Sequence, residues 1–267
     1  MQRFSGHQAI VTGGASGIGA ATALEFAREG AAVCIVDINR EAGERHAEAM
    51  RKEGVDALFL QADVSDPTAC RAVVTEVATR LGGIRYLVNS AVSFIAKGLD
   101  VTAEDWQRSL GVNVTGGANM VQAAYSHLKE HPGESAIVNL TSISGYIAQP
   151  NRWTYNASKG AILTLTKCQA FDLAEAGIRV NSVSPGWTWT PEVDKAAGGD
   201  RKRWEPIWGK FHLLRRCAEP QEIARAVLFL CSRDASFITG TDLAVDGGYM
   251  AMGSEGLGEA STFAGSR

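Results

Sequence analysis

A short apolar run that passes directly into a glycine-rich loop, and from there into a helical pattern, constrains this chain more than any other stretch. Residues 8–12 (QAIVT) are followed by Gly13, Gly14, Ala15, Ser16, Gly17, Ile18 and Gly19, after which Ala20, Leu24 and Ala27 recur at helical spacing. Strand, glycine loop and helix in that order aim free backbone N–H groups and a helix N-terminus at a pyrophosphate. The glycines let a phosphate approach the main chain and let the helix pack closely on the strand. The spacing is G-x-x-x-G-x-G rather than G-x-G-x-x-G. A ligand-free glycine turn can carry the same letters, and the flanking strand and helix are what set this one apart.

The same alternation continues along the chain. Apolar runs at 8–12, 32–37, 56–61, 84–89, 135–141, 178–184 and 241–245 read as strands, and helical patterns begin near residues 17, 40, 67, 102, 153 and 220. Strands alternating with helices imply a doubly wound, Rossmann-type α/β fold: a parallel sheet of about seven strands with helices on both faces. Ser65-Asp66-Pro67 and Glu219-Pro220 place proline in a first helical turn, and Thr102-x-x-Asp105 reads as a capping box. The 267 residues suit one large domain over 1–250, followed by a tail over 251–267, with no Pro/Ser-rich linker to divide them. Ligands in such sheets lie beyond the carboxyl ends of the strands. Gly13–Gly19, Asp37, Asp63, Asn89, Ser142 and Pro185 all fall at predicted strand C-termini.

Charge and cysteine usage remove several function classes. A net charge of −3 and a pI near 6.0 give no electrostatic case for nucleic acid or an anionic membrane surface. No apolar stretch approaches the length of a membrane span, and no leader pattern precedes the first strand, so the chain reads as cytoplasmic. Cys34, Cys70, Cys168, Cys217 and Cys231 are scattered, odd in number and without C-x-x-C spacing. They read as reduced, buried thiols, and no metal is expected.

Two further features carry chemistry. The strand at 31–36 ends in Asp37, eighteen residues past Gly19. A carboxylate there accepts from the adenosine ribose hydroxyls and repels a 2′-phosphate, and no Lys or Arg in the glycine loop offsets it. Arg40 reads as a solvated residue of the next helix, so NAD is the expected cofactor. Tyr155 and Lys159 lie one helical turn apart on one face, with Ser142 thirteen residues upstream. A free tyrosine, with a pKa of about 10, is too protonated to take a proton from an alcohol near neutral pH. Lowering it to about 7 requires roughly 4 kcal/mol. An ammonium about 4 Å away at an effective dielectric of about 20 supplies energy of that order. Tyr155 is therefore a candidate general base and Ser142 a candidate partner for the reacting oxygen. A serine after a strand is more often a plain turn residue, and the pair alone is a short motif, so the assignment depends on the rest of the chain.

Thr12-Gly13-(x)3-Gly17-Ile18-Gly19, Asn113, Ser142 and Tyr155-x-x-x-Lys159 together resemble the short-chain dehydrogenase/reductase family in its compact single-domain form. The resemblance spans about residues 5–250 and extends to Asp63-Val64, to Pro185-Gly186 with Thr188 or Thr190, and to Val245-Asp246-Gly247-Gly248. It implies a catalytic tetrad of Asn113, Ser142, Tyr155 and Lys159. It also implies cofactor contacts from Gly13, Ser16, Gly17, Ile18, Gly19, Asp37, Asp63, Val64, Asn89, Tyr155, Lys159, Pro185, Gly186, Thr188 and Thr190. Asn113 corresponds to a residue that disturbs its helix and holds a water joined to the lysine. One motif departs: where the family reads Asn-Asn-Ala-Gly, this chain has Asn89, Ser90, Ala91 and Val92. With the catalytic positions intact, activity is expected to survive that change.

The reaction implied is interconversion of a secondary alcohol and a ketone with NAD, Tyr155 acting as base. Residues 186–219 form a long insertion that, by the same resemblance, is a substrate lid; it carries Trp187, Trp189, Trp204, Trp208 and Phe211. These aromatics suit stacking on a sugar or an apolar ring, and equally suit subunit packing. Phe94, Arg152 and Trp187 are the candidate substrate contacts, with Gln149, Asn151 and Trp153 nearby. Arg152, His212 and Arg215 favour a small polar alcohol such as a sugar or sugar acid. Cyclic alcohols, dihydrodiols and hydroxyacyl thioesters are the alternatives, and a catalytically idle NAD-binding scaffold is the non-enzymatic one. Relatives commonly assemble as homotetramers or homodimers with their C-termini at interfaces, so Phe263 is expected to pack on a neighbouring copy.

Overall fold

The first strand, β1 (Gln8–Thr12), lies in the interior of one parallel sheet. It is joined by β2 (Ala32–Asp37), β3 (Ala57–Gln61), β4 (Tyr86–Asn89), β5 (Ala136–Leu140), β6 (Arg179–Pro185) and β7 (Asp242–Val245) in the spatial order β3-β2-β1-β4-β5-β6-β7. The computed structural model describes residues 2–253 and Gly256, so Phe263 and most of the expected tail lie outside the described residues. The strand order reverses direction between β1 and β4, which opens a crevice at their carboxyl ends.

Nine α-helices connect and cover the sheet among the described residues: α1 (Gly17–Arg28), α2 (Arg40–Lys52), α3 (Pro67–Leu81), α4 (Ala103–Leu110), α5 (Gly116–Leu128), α6 (Trp153–Leu173), α7 (Pro191–Ala196), α8 (Arg201–Trp208) and α9 (Pro220–Cys231). Successive residues of a strand point to opposite faces. Ala9 and Val11 therefore join Phe26, Met50 and Val227 in a core beneath α1, α2 and α9. Ile10 joins Val74, Met120 and Ile178 beneath α3, α5 and α6. Continuous apolar strands are what a sheet covered on both faces requires.

The predicted helix starts hold because their caps form. Asp66 accepts from Thr68 N–H ahead of Pro67, Thr102 and Asp105 make the reciprocal capping box, and Glu219 and Glu222 make another. Four cysteines are buried as expected, whereas Cys168 is exposed. It sits on the outward side of α6, beyond the reach of the apolar neighbours that suggested burial.

The buried cation Arg179 closes the end of α9. Its Nη1 donates to the Leu230 carbonyl (2.6 Å), and Nη2 donates to those of Cys231 (3.2 Å) and Ser232 (3.1 Å). These are helix C-terminal carbonyls with no partner within the helix, and a positive charge there is also favoured by the helix dipole. Arg179→Met removes these donors and leaves buried acceptors unmet. A stability loss of about 2 kcal/mol is expected, measured as a lower urea midpoint with an unchanged slope.

Candidate active site

Backbone geometry makes the glycine loop a cradle. Gly13 has φ +64°, and a Cβ there would stand 2.8 Å from the Ala91 backbone; one on Gly19 would stand 2.1 Å from the Gly13 carbonyl oxygen. Gly17, at φ +54°, faces the Thr190 methyl where the lid begins. Ser16 precedes α1 without a side-chain cap bond, and no acidic residue lies in that first turn, with Ile18 second in the helix. By contrast, Asn39, Asp66, Thr102, Thr190 and Asp200 all cap their helices. The first N–H groups of α1 are thus left without a side-chain acceptor at the end of a loop that only glycine can form, which fits a pyrophosphate.

Asp37 is positioned beside that cradle. Its Oδ2 accepts from Ala15 N–H (3.1 Å) and Oδ1 from Asn39 N–H (2.9 Å), so the carboxylate spans the loop and the start of α2. Arg40 turns away to Gln61 (3.1 Å). A glycine cradle followed by a carboxylate at the next strand end fits the diphosphate and adenosine ribose of a nicotinamide dinucleotide.

A polar row crosses the sheet: Thr12, Asn89, Asn139, Ser182 and Asp242 are successive register partners. Thr12 Oγ1 accepts from Ser90 N–H (3.1 Å) and Ala91 N–H (3.2 Å), tying β1 to the loop after β4. Asn89 Nδ2 donates to Asn139 Oδ1 (2.9 Å), and Asn139 Nδ2 donates to Thr166 and Gln169 of α6 (both 3.0 Å). Sequence reasoning missed Asn139 as the link that fixes α6 on the sheet. Its signal was an asparagine in the otherwise apolar run AIVNL. Val92 sits without positive φ and about half exposed, so the main chain there does not require the family's glycine.

The proposed tetrad gathers at this edge. Tyr155 and Lys159 rise from the first turns of α6, and Ser142 follows β5. Burial pushes the Tyr155 pKa up, while the neighbouring Ser142 hydroxyl and the Arg152 charge pull it back. Lys159, expected to acidify the tyrosine, is not among the groups that pull its pKa down in this structure. The Lys159 ammonium instead donates to the Leu140 carbonyl (2.7 Å) and stands 5.6 Å from the centre of the Tyr155 ring. A buried ammonium takes the nearest strong acceptor, here the end of β5, and its own pKa is lowered to about 8 by burial.

Asn113 does disturb its helix: Gly111–Thr115 form a π turn between α4 and α5. Its carboxamide brackets Ser93, accepting from Ser93 N–H (2.7 Å) and donating to the Ser93 carbonyl (3.1 Å), and it also donates to Ser158 (2.9 Å). The side chain thus holds the loop that carries Phe94.

Other predicted contacts divide. Asp63 is engaged by Ser65 and Arg108 (2.7 Å), which hold its carboxyl at about 2, so in this state it serves to join α4 to β3 rather than facing the crevice alone. The side chain of Val64 lies under the crevice, against the position a Gly116 Cβ would take. Pro185 ends β6, and a Cβ on Gly186 would press on His212 and Asp246. Thr188 is buried, and Thr190 caps α7 against the cradle.

On the opposite side of Tyr155, the three candidate substrate contacts converge. Phe94 packs edge-on to Tyr155 (centroids 4.9 Å), and the Arg152 guanidinium lies 5.4 Å from the Phe94 ring and 5.6 Å from that of Trp187. The lid tryptophans are not a stacking platform. Trp187, Trp189 and Trp204 each pack on Trp208 at 5.0–5.7 Å, forming with Cys217 and Ala197 a small core inside the lid. His212 is likewise not a pocket residue. It is buried, and its Nε2 accepts from Trp187 N–H (3.1 Å). Arg215 is exposed in a left-handed conformation (φ +59°).

Comparison with known proteins gives the same picture. A family model described as enoyl-(acyl carrier protein) reductase matches residues 13–250. The cis-4-hydroxycyclohexanecarboxylate dehydrogenase of Sinomonas cyclohexanicum is 39% identical, over 94% of this chain and 99% of that one. The cyclopentanol dehydrogenase of Comamonas sp. (strain NCIMB 9872) is 38% identical over 94% of this chain and all of its own length. An NADP-dependent (R)-specific alcohol dehydrogenase of Lentilactobacillus kefiri is 35% identical over 94% and 99%. The crystal structure of gox2181 superposes with a TM-score of 0.86 at 30% identity, covering 94% of this chain and 98% of that one.

Proposed function

Because this chain belongs to the short-chain dehydrogenase/reductase family, we propose that it is an NAD-preferring dehydrogenase of a cyclic secondary alcohol, with Tyr155 as general base. The observation that carries this reading is the meeting of Ser142 and Tyr155 at the crevice edge, beside a glycine cradle and under an aromatic wall of Phe94 and Trp187. The relatives named for cyclic alcohols support it, and the self-packed lid tryptophans weigh against a sugar-stacking site.

In this reading the substrate hydroxyl lies between Ser142 and Tyr155. Ser142 orients the oxygen, and Tyr155 takes its proton as the C–H bond breaks. The nicotinamide, when bound, supplies the carbon that accepts the hydride. Lys159 would hold a ribose of the bound cofactor, and a turn away from the Leu140 carbonyl would bring its positive charge toward the tyrosine. Asn113 fixes the loop bearing Phe94, and the π turn at its position opens the way for a water to pass the proton outward. In the reverse direction Tyr155 is the acid. Phe171 and Phe237, both strongly exposed, fit an assembly of two or four copies.

The test is a panel of cyclic, linear secondary and primary alcohols with NAD, followed by absorbance of the reduced cofactor. Turnover of cyclopentanol or cyclohexanol derivatives, with ketone as product, is expected to exceed that of primary alcohols by about tenfold or more. NAD binding without turnover of any secondary alcohol would favour the idle scaffold instead.

A further inference from the structure

We propose that Arg152 is a carboxylate anchor, so that the substrate is a hydroxy acid whose anionic group rests on this guanidinium while its hydroxyl faces Ser142 and Tyr155. The inference deepens the dehydrogenase reading and names its substrate class.

Arg152 is held as an anchor would need to be. It is the N-cap residue of α6, three positions before Tyr155, which places both side chains on one face of the first turn. Phe94 and Trp187 flank its guanidinium. The Gln149 amide oxygen accepts from Arg152 Nη1 (3.0 Å) and from Ser144 Oγ (2.6 Å), so the amide that steers the arginine is itself fixed. Guanidinium has five N–H donors. The bond to Gln149 uses one of them, and no carboxylate pairs with Arg152 among the described residues.

Elsewhere the chain matches arginines with acids. Arg108 pairs with Asp63, Arg201 with Glu205 and Glu219, Arg216 with Glu222, and Arg85 with Glu134. Arg179 has backbone carbonyls instead, and Arg152, half-buried beside the reacting tyrosine, has the Gln149 amide oxygen and no acid partner among the described residues.

The surroundings favour an anion of single charge. The first turn of α6 holds no acidic residue and no side-chain cap, so its dipole adds positive potential at the same place. Ser144, Gln149, Arg152 and Asn156 line an open cleft of about 360 Å³ that borders the first turn of α6, so one side of the guanidinium faces open space. Lys97, whose carbonyl accepts from Trp153 N–H, is paired with Asp105 (2.8 Å), and a single guanidinium matches one carboxylate in fork geometry. A neutral ring closing over Arg152 would bury its charge unpaired, whereas a carboxylate accepts two parallel N–H bonds.

The bland alternative is a strut that merely braces Phe94 against Trp187. Matched substrates separate the two: 3- and 4-hydroxycyclohexanecarboxylate against the corresponding carboxamides, with NAD, in the wild type, R152Q and R152K. An anchor gives a kcat/KM preference for acid over amide of about 30-fold, carried mainly by KM; R152Q brings the ratio to near 1, and R152K restores part of it. A ratio near 1 in the wild type, or an equal loss on both substrates in R152Q, overturns the proposal. Calorimetric titration with cyclohexanecarboxylate and cyclohexanecarboxamide, which carry no reacting hydroxyl, reads binding without chemistry. Arg152-dependent binding of the acid alone, in a protein that oxidises none of the alcohols, upholds the anchor and removes the dehydrogenase reading.

Discussion

Tyr155→Phe is expected to lower kcat by about 100-fold or more while leaving nicotinamide cofactor affinity nearly unchanged, because it removes the proton acceptor and little else. Lys159→Met is expected to fall further, by about 1,000-fold, since both a charge and a ribose contact go. Stopped-flow and steady-state rates with a turned-over cyclic alcohol, alongside cofactor titration by fluorescence, separate the two effects. Comparable turnover by Tyr155→Phe and wild type would remove the assignment of the base.

Lys159 also carries a stability signature. Burial lowers its pKa from 10.5 to about 8. The unfolded chain therefore binds this proton more tightly than the folded one, and the native state is penalised wherever the amine is charged. The full penalty applies below about pH 8, and stability recovers as pH rises from there toward 10.5. At pH 7 and without cofactor, Lys159→Met should therefore melt higher than wild type. The gain is offset in part by the lost bond to Leu140, leaving about 1 kcal/mol, or roughly 3 °C for a chain of this size. The difference in melting temperature should close between pH 8 and 10.5, a trend that an effect of packing alone would not show.

The fold was legible because its local signals agree with one another. The glycine loop after residues 8–12, proline at 67 and 220, and the Thr102–Asp105 box all mark boundaries that backbone chemistry enforces, and the strands fall within two residues of their expected limits. The site was legible as a location for the same reason: residues at the carboxyl ends of parallel strands must share one edge. What escaped was set by tertiary partners. The tryptophans of 186–219 look alike in sequence, yet most of them form the lid's own core, and Trp187 alone among the four reaches Arg152. His212 reads as a pocket residue until its Nε2 is seen accepting from Trp187 N–H, and the pairing of Asp63 with Arg108 of α4 is a tertiary contact that no local motif announces. The direction in which Lys159 points depends on a carbonyl of β5 nineteen residues away, which no spacing rule encodes.

The proposed preference for NAD rests on a single carboxylate. NAD is expected to exceed NADP in kcat/KM by about 100-fold, roughly 2.7 kcal/mol of discrimination. Asp37 is fixed by Ala15 N–H and Asn39 N–H at the place where the adenosine ribose would follow from the cradle. It rewards a ribose diol with acceptor oxygens, and it would meet a 2′-phosphate with an unpaired like charge. Relatives of this chain include an NADP-dependent enzyme, so family membership alone leaves the choice open and the local carboxylate has to decide it. Arg40 would be the rescuing cation, but it is turned to Gln61. Asp37→Ser should narrow the gap chiefly by lifting repulsion, raising efficiency with NADP more than it lowers that with NAD. Adding Ile38→Arg, at a well-exposed position beside it, should narrow the gap further by supplying a partner for the phosphate. Steady-state kinetics with both cofactors at matched substrate saturation measure all three proteins. Equal efficiency in the wild type would mean that Asp37 does not meet the ribose and that Arg40 swings from Gln61 to hold the phosphate instead.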